Sequence, residues 1–166
     1  MRITANWEQA MGAVQQLQVA IRSDTQQVIA ETVALGERVA KQAAPKDTSN
    51  LARSIFSDAQ PLMGVVQVPG GAGSAQIGQA ATQEFGRGAN KKMPPPESLR
   101  GWAGRHGFDL SKNGGKGVLF VLARSIGRKG YAGTGYMQAA LDAMRNALPR
   151  FVEEAARRIE QRGERP

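Results

Sequence analysis

Residues 8–45 read EQAMGAVQQLQVAIRSDTQQVIAETVALGERVAKQAAP, and the fold turns on this stretch. Its only proline is the last residue. Val14, Leu17, Ile21, Val28, Leu35 and Val39 recur at threes, fours and sevens, with polar residues such as Gln15, Arg22 and Glu31 between them. That spacing lays an apolar stripe along one face of a single helix over 8–44. The stripe is narrow and is interrupted by Thr25 and Thr32, so the helix is marginal alone and needs a partner surface. Ala44-Pro45 ends it, because the residue before a proline avoids helical backbone.

Downstream, Asp47, Thr48 and Ser49 offer N-cap chemistry for a short turn through Leu51 and Ser54. Two strand-like runs follow, Ser54–Ala59 and Val65–Val68, and the Pro- and Gly-containing stretch Gln60–Gly64 between them predicts a hairpin. Pro69–Ser74 reads as a flexible loop. Ala75–Phe85 suits either a short strand or a helix and ends at Gly86-Arg87-Gly88. Met93-Pro94-Pro95-Pro96 forces Asn90–Pro96 to be extended. Pro96 then suits the first turn of a helix over Glu97–Arg105 that carries Leu99 and Trp102. Gly107–Gly117 is a polar loop, and Val118–Ile126 predicts a buried short helix with Arg124 on its outer side. After the loop 127–135, an amphipathic helix runs over Tyr136–Gln161, where Pro149 is expected to kink it or split it in two.

Together these elements predict a single α+β domain over 1–166. Long N-terminal and C-terminal helices pack on a small antiparallel β-sheet drawn from residues 54–86. The segment 87–130 forms an insertion of loops and short helices, and the two terminal helices meet across the sheet.

The chain of 166 residues is 41% hydrophobic but only 5% aromatic, so its core must rest on small aliphatic side chains. It has no cysteine, which excludes disulfides, thiolate metal sites and a cysteine nucleophile. No run approaches the roughly 20 apolar residues of a membrane span. Met1–Trp7 carries Arg2 but no apolar signal-peptide core. A soluble chain made in the cytoplasm is the expectation.

The net charge of +8 is local. Residues 87–129 hold ten basic residues against Glu97 and Asp109, and elsewhere the charges cancel. Arg87, Lys91, Lys92, Lys112, Lys116, Arg128 and Lys129 are therefore the candidate contacts to neighbouring subunits or to nucleic-acid phosphates. The alternative is a solvated, loop-rich surface. Trp102, Phe108, Phe120 and Tyr131 lie in the same segment and could stack on bases. Trp102 and Phe120 fall at apolar positions of short helices, where core packing is expected.

Enzyme chemistry finds little support. The only histidine, His106, stands three residues before Asp109, but no nucleophile motif accompanies the pair. Gly70–Ser74 and Gly114–Gly117 both miss the spacing of phosphate-binding loops. No catalytic, cofactor-binding or metal-ligating residue is assigned.

Four segments, in order, resemble one family. Ala44-Pro45-Lys46-Asp47-Thr48-Ser49-Asn50-Leu51-Ala52-Arg53-Ser54-Ile55 follows a long helix and resembles the pattern A-P-x-D-T-G-x-L-x-x-S-I. Ala80 to Gly86 resembles A-x-x-x-E-F-G. Met93–Trp102 with Leu119–Gly130 resembles a P-P-x-x-x-L-x-x-W and A-x-x-I-x-x-x-G insertion. Gly135–Leu141 resembles an F-x-x-P-A-L helix opening. These are patterns of the tail-component, tail-completion and neck proteins of long-tailed bacteriophages, and the match covers about residues 10 to 160. Ser49 stands where the family has glycine, and Gln138-Ala139 replaces its proline-bearing step.

The resemblance implies a non-enzymatic virion protein of the head–tail junction, assembled in the host cytoplasm. It implies a homo-oligomeric ring, six-fold to match the tail tube, between head-connector and tail-tube proteins, with DNA passing through it. No membrane and no cofactor is implied. The competing expectation from charge alone is a basic nucleic-acid-binding protein.

Overall fold

In the computed structural model, which describes residues 7–47, 49–70 and 75–163, helix α1 spans Trp7–Ala43 without a break. The readings of residues 1–6, of Thr48 as a cap and of 71–74 as loop lie outside the described residues. Ala44-Pro45 stops α1 as expected, and a short helix α2 follows at Asn50–Ser54. Strands β1 (Phe56–Gln60) and β2 (Met63–Gln67) pair antiparallel, with Gln60 opposite Met63. The hairpin turn is therefore only Pro61-Leu62, tighter than the five-residue connection expected, because Pro61 presets one of the two turn residues.

Ala75–Phe85 resolves as helix α3, so the strand option there is excluded. Two further residues, Gly86–Arg87 (β3), pair antiparallel with Tyr131–Ala132 (β4). The β-structure is thus two separate two-stranded pieces and not one sheet. The fold is mostly helical, about 71%, and the α+β reading holds only in that coarse form. A 3-10 turn at Pro96–Leu99 leads into α4 (Arg100–Arg105), and a turn at Lys112–Gly115, left-handed at Asn113, Gly114 and Gly115, leads into α5 (Lys116–Lys129). Helix α6 runs over Tyr136–Gly163. Pro149 does not split α6. It sits on the exposed side, where water can take the carbonyl bond its ring removes. Among the described residues no helix is long and apolar enough to cross a membrane.

The chain divides into two compact units that are interleaved in sequence. The first gathers residues 1–42, 55–67 and 137–166, which means α1, the β1–β2 hairpin and α6. Its contacts explain the small residues of α1. A β-carbon on Gly36 would stand 2.5 Å from the sulfur of Met144 and 3.1 Å from Val66, so both α6 and the hairpin close on the helix at this point. One on Gly64 would stand 2.4 Å from Val33. The carboxylate of Glu37 accepts from the Ser57 backbone N–H at 2.8 Å and from the Ser57 hydroxyl, and it pairs with Lys41. The Lys41 ammonium first, and Ser57 second, hold this carboxyl below its ordinary value.

The buried face of α1 is Asp24, Val28, Val33, Gly36 and Ala40. Val14, Leu17 and Ile21 of the predicted stripe are exposed instead. Asp24 is only 1% exposed and is held from α6 by Arg158 at 3.2 Å and Arg162 at 2.7 Å. Within this unit these bonds join the two terminal helices directly, with no strand between them at this point.

The second unit gathers residues 43–54 and 68–136. Here helix ends are closed by chain segments from elsewhere in the unit. The Gln83 and Glu84 carbonyls at the end of α3 accept from the Thr134 and Gly135 N–H groups at 2.7 and 3.2 Å. Leu119, Ala123, Ala103 and Tyr136 are its most buried side chains. Burial, followed by the nearby Glu84 charge, pushes the Tyr136 hydroxyl above its ordinary value. Ser49 has φ 55°, and its carbonyl accepts the Arg53 N–H at 3.0 Å, so it starts α2 from left-handed backbone.

Two stability predictions follow from these contacts. Asp24→Ala leaves two arginines facing a vacated buried site and is expected to cost about 3 kcal/mol in urea unfolding. A loss below ~0.5 kcal/mol would mean water compensates the pair. Ser49→Gly relieves about 1–2 kcal/mol of left-handed strain against ~0.4–1 kcal/mol of added chain freedom. A small rise in melting temperature is therefore expected, and a fall would contradict it.

Candidate assembly surfaces

Helix α5 begins and ends further out than the pattern predicted, at Lys116 and Lys129. Leu119, Ala123 and Gly127 are buried at four-residue spacing, and Phe120, Arg124 and Arg128, each one residue further on, are exposed on the flank beside that row, as is Lys116 at the start of the helix. Phe120 is 48% exposed, so the expectation that it packs in a core is corrected. Phe120, Arg124 and Arg128, with Asn90, Val121, Ser125 and Lys129, edge a shallow groove. No acidic residue occurs in α5.

The C-terminal end of α5 is tied to the segment before α4, whose first residue, Asn90, is left-handed and not extended as expected. Asn90, at φ 58°, donates its N–H to the Arg128 carbonyl at 3.1 Å, and Lys91 donates to the Gly127 carbonyl at 2.9 Å. Gly130 donates back to Ile126 at 2.9 Å. Lys91, Lys92, Arg128 and Lys129 are thereby exposed together beside the negative end of the helix dipole, which partly offsets their mutual repulsion. Arg87 differs from them. It is half-buried in β3, and its guanidinium donates to the Lys92 carbonyl. Lys112 and Lys116 are exposed at the other end of α5, roughly 20 Å away at 1.5 Å per residue. The seven candidate residues therefore form two groups and not one patch.

His106 does not meet Asp109. Its Nδ1 donates to the Trp102 carbonyl at 2.9 Å, and its ring stacks on Trp102 with centroids 4.2 Å apart. The nearest carboxylate is Asp47, 3.9 Å from Nδ1. Asp47 itself accepts from the Nε and Nη2 of Arg105, at 2.9 and 2.5 Å, and that bidentate bond holds its carboxyl below the ordinary range. Asp109 is engaged by Ser111, whose hydroxyl and backbone N–H lower its carboxyl. The polar hollow beside His106 is edged by Lys46, Gln79, Gln83 and Trp102. Trp102 is a surface residue that stacks on His106 and meets Phe108 at a tilt, not a core residue. Among the described residues no group of three His, Cys, Asp or Glu is placed to hold a metal.

The first unit carries an exposed apolar run on α1. Trp7, Met11, Val14, Leu17 and Ile21 are between 43% and 74% exposed, although they continue the side of the helix that is covered from Asp24 onward. Single exposed apolar residues are ordinary, whereas a contiguous run along several turns marks an interaction surface. The sequence showed this stripe but not that it is left open.

No family model, no curated protein and no solved structure matches this chain.

The joint between α5 and the β3 segment is testable through Gly130. A β-carbon there would stand 2.0 Å from the Arg87 carbonyl oxygen, and its φ is 66°. Gly130→Ala is expected to lower stability by ~2 kcal/mol or more and to speed amide exchange at Asn90 and Lys91. Unchanged exchange at both amides would contradict the arrangement.

Proposed function

We propose that this chain is a structural subunit of the head–tail junction of a long-tailed bacteriophage, a neck, tail-completion or tail-terminator protein that works as a ring of identical copies. The observation that carries the reading is the uncovered apolar run at the start of α1. An amphipathic helix gains its stability by burying its apolar face, and a subunit that waits for its neighbours leaves such a face open. The resemblance across residues 10 to 160 supplies the setting: head-connector and tail-tube neighbours, a six-fold ring and passing DNA.

One backbone detail at a departure from the motif supports the resemblance. The family pattern has glycine where Ser49 stands, and Ser49 holds the left-handed backbone that glycine adopts without strain. The exposed lysines Lys91 and Lys92 suit an acidic neighbour or the DNA that the ring would surround. In this reading the protein is not an enzyme and needs no cofactor, and it resides in the virion after assembly in the host cytoplasm.

A second reading, a basic nucleic-acid-binding protein acting alone, is favoured by the acid-free outer face of α5 with Phe120 open among cations. Affinity of the isolated monomer for DNA that falls steeply with salt would favour it.

The test of the junction reading is Lys91→Glu with Lys92→Glu, at two exposed positions. The variant is expected to fold normally by circular dichroism yet join separately purified heads and tails at least tenfold less efficiently (about 1.4 kcal/mol, from the relation between free energy and equilibrium). Wild-type joining by this variant would remove these lysines from the junction.

A further inference from the structure

Helix α6 carries an uncovered stripe of its own. Leu141, Leu148 and Val152 recur at seven and four residues, so they share one side of the helix, and they are between 36% and 51% exposed. We propose that this stripe receives the open turns of α1 from a second copy of the chain, so that copies join head to tail. The inference rests on the ring reading above and names the two faces that would build the ring.

Four observations select this occupant. The faces match in length: Trp7 to Ile21 spans about 21 Å of helix and Leu141 to Val152 about 16 Å, at 1.5 Å per residue. They match in charge. Glu8 is the only charged residue between Trp7 and Ile21. On the receiving side Arg145 lies between Leu141 and Leu148, while Asp142 is engaged by Gln138 and Arg150 by Glu154 of the same helix. They match in area. Taking about 150–250 Å² for each large side chain, roughly 700 Å² of apolar surface is open on the two faces together. Polar flanks bring this near the ~1,000 Å² that an interface must clear to be specific. Finally, the two faces lie on different elements of the same unit. A contact between unlike faces is heterologous, and it closes into a ring when its rotation permits. Pairing α1 with α1 would instead be two-fold and would stop at a dimer.

The experiment uses two full-length variants measured by size-exclusion chromatography with light scattering. Val14→Glu with Leu17→Glu removes the inserted face, and Leu148→Glu with Val152→Glu removes the receiving one. All four positions are exposed, so unchanged circular dichroism and melting temperature are expected. Wild type should associate as concentration rises, and each variant alone should remain monomeric. An equimolar mixture retains one face of each kind and should give a one-to-one dimer and nothing larger.

Three results would overturn the inference: a wild-type chain that stays monomeric at its highest soluble concentration, association of the Leu148/Val152 variant alone, or no dimer in the mixture. Head-to-tail association by a chain that plays no part in joining heads to tails would overturn the functional reading and leave the inference standing. Rings at the head–tail junction that form despite Leu148→Glu with Val152→Glu would do the reverse.

Discussion

Helix α1 is 37 residues long, about 55 Å at 1.5 Å per residue, and its own unit covers it only from about Asp24 onward. The rest of the first unit follows from this shortfall. The hairpin and α6 close on the second half of the helix at Gly36 and Gly64, where missing side chains let them approach. Asp24 stands at the boundary between covered and open turns. Its carboxylate, held by Arg158 and Arg162 near the end of α6, fixes how the two terminal helices run beside each other. A buried ion pair contributes little net stability against a well-packed apolar replacement, but it penalises a shifted arrangement heavily. A polar clamp at the edge of the covered region therefore acts as a register mark.

The second unit is organised by a different constraint, the closing of helix ends. Carbonyls at the ends of α3 and α5 accept backbone N–H groups from residues 134–135 and 90–91. Unpaired carbonyls there would carry a cost comparable to lost hydrogen bonds wherever water is excluded. Left-handed backbone at Asn90 and Gly130 turns the chain so that these groups reach each other. One result is electrostatic. The closure places Lys91 and Lys92 beside Arg128 and Lys129, which a linear reading of the charges could not distinguish from a scattered distribution.

Much of the scaffold was legible in the sequence because it depends on local chemistry. The proline-free run up to Ala44-Pro45 marked α1, and the periodic apolar residues from Tyr136 marked α6. Pro61 and Gly64 marked the hairpin. What escaped depends on partners far along the chain. The burial of Asp24 is set by arginines 134 and 138 residues away, which no local periodicity can register. The β3–β4 pair is two residues long, too short for any pattern, and Ala75–Phe85 has too few strongly apolar residues to declare its period. Phe120 and Trp102 looked like core residues because they were apolar members of short helices. Each of those helices has one covered side, and neither aromatic lies on it. The candidate cations were legible as a group, but their division between the two ends of α5 was not.

The central claim is that the open apolar turns of α1 are an assembly surface in a chain built to form rings. Negative-stain imaging of the purified full-length protein, taken across a concentration series with its mass in solution, tests this most directly. The account predicts a mass that climbs to one fixed multiple of the chain and particles that are closed rings with a central hole. Particles the size of one chain at every concentration, with α1 still helical in solution, would contradict it.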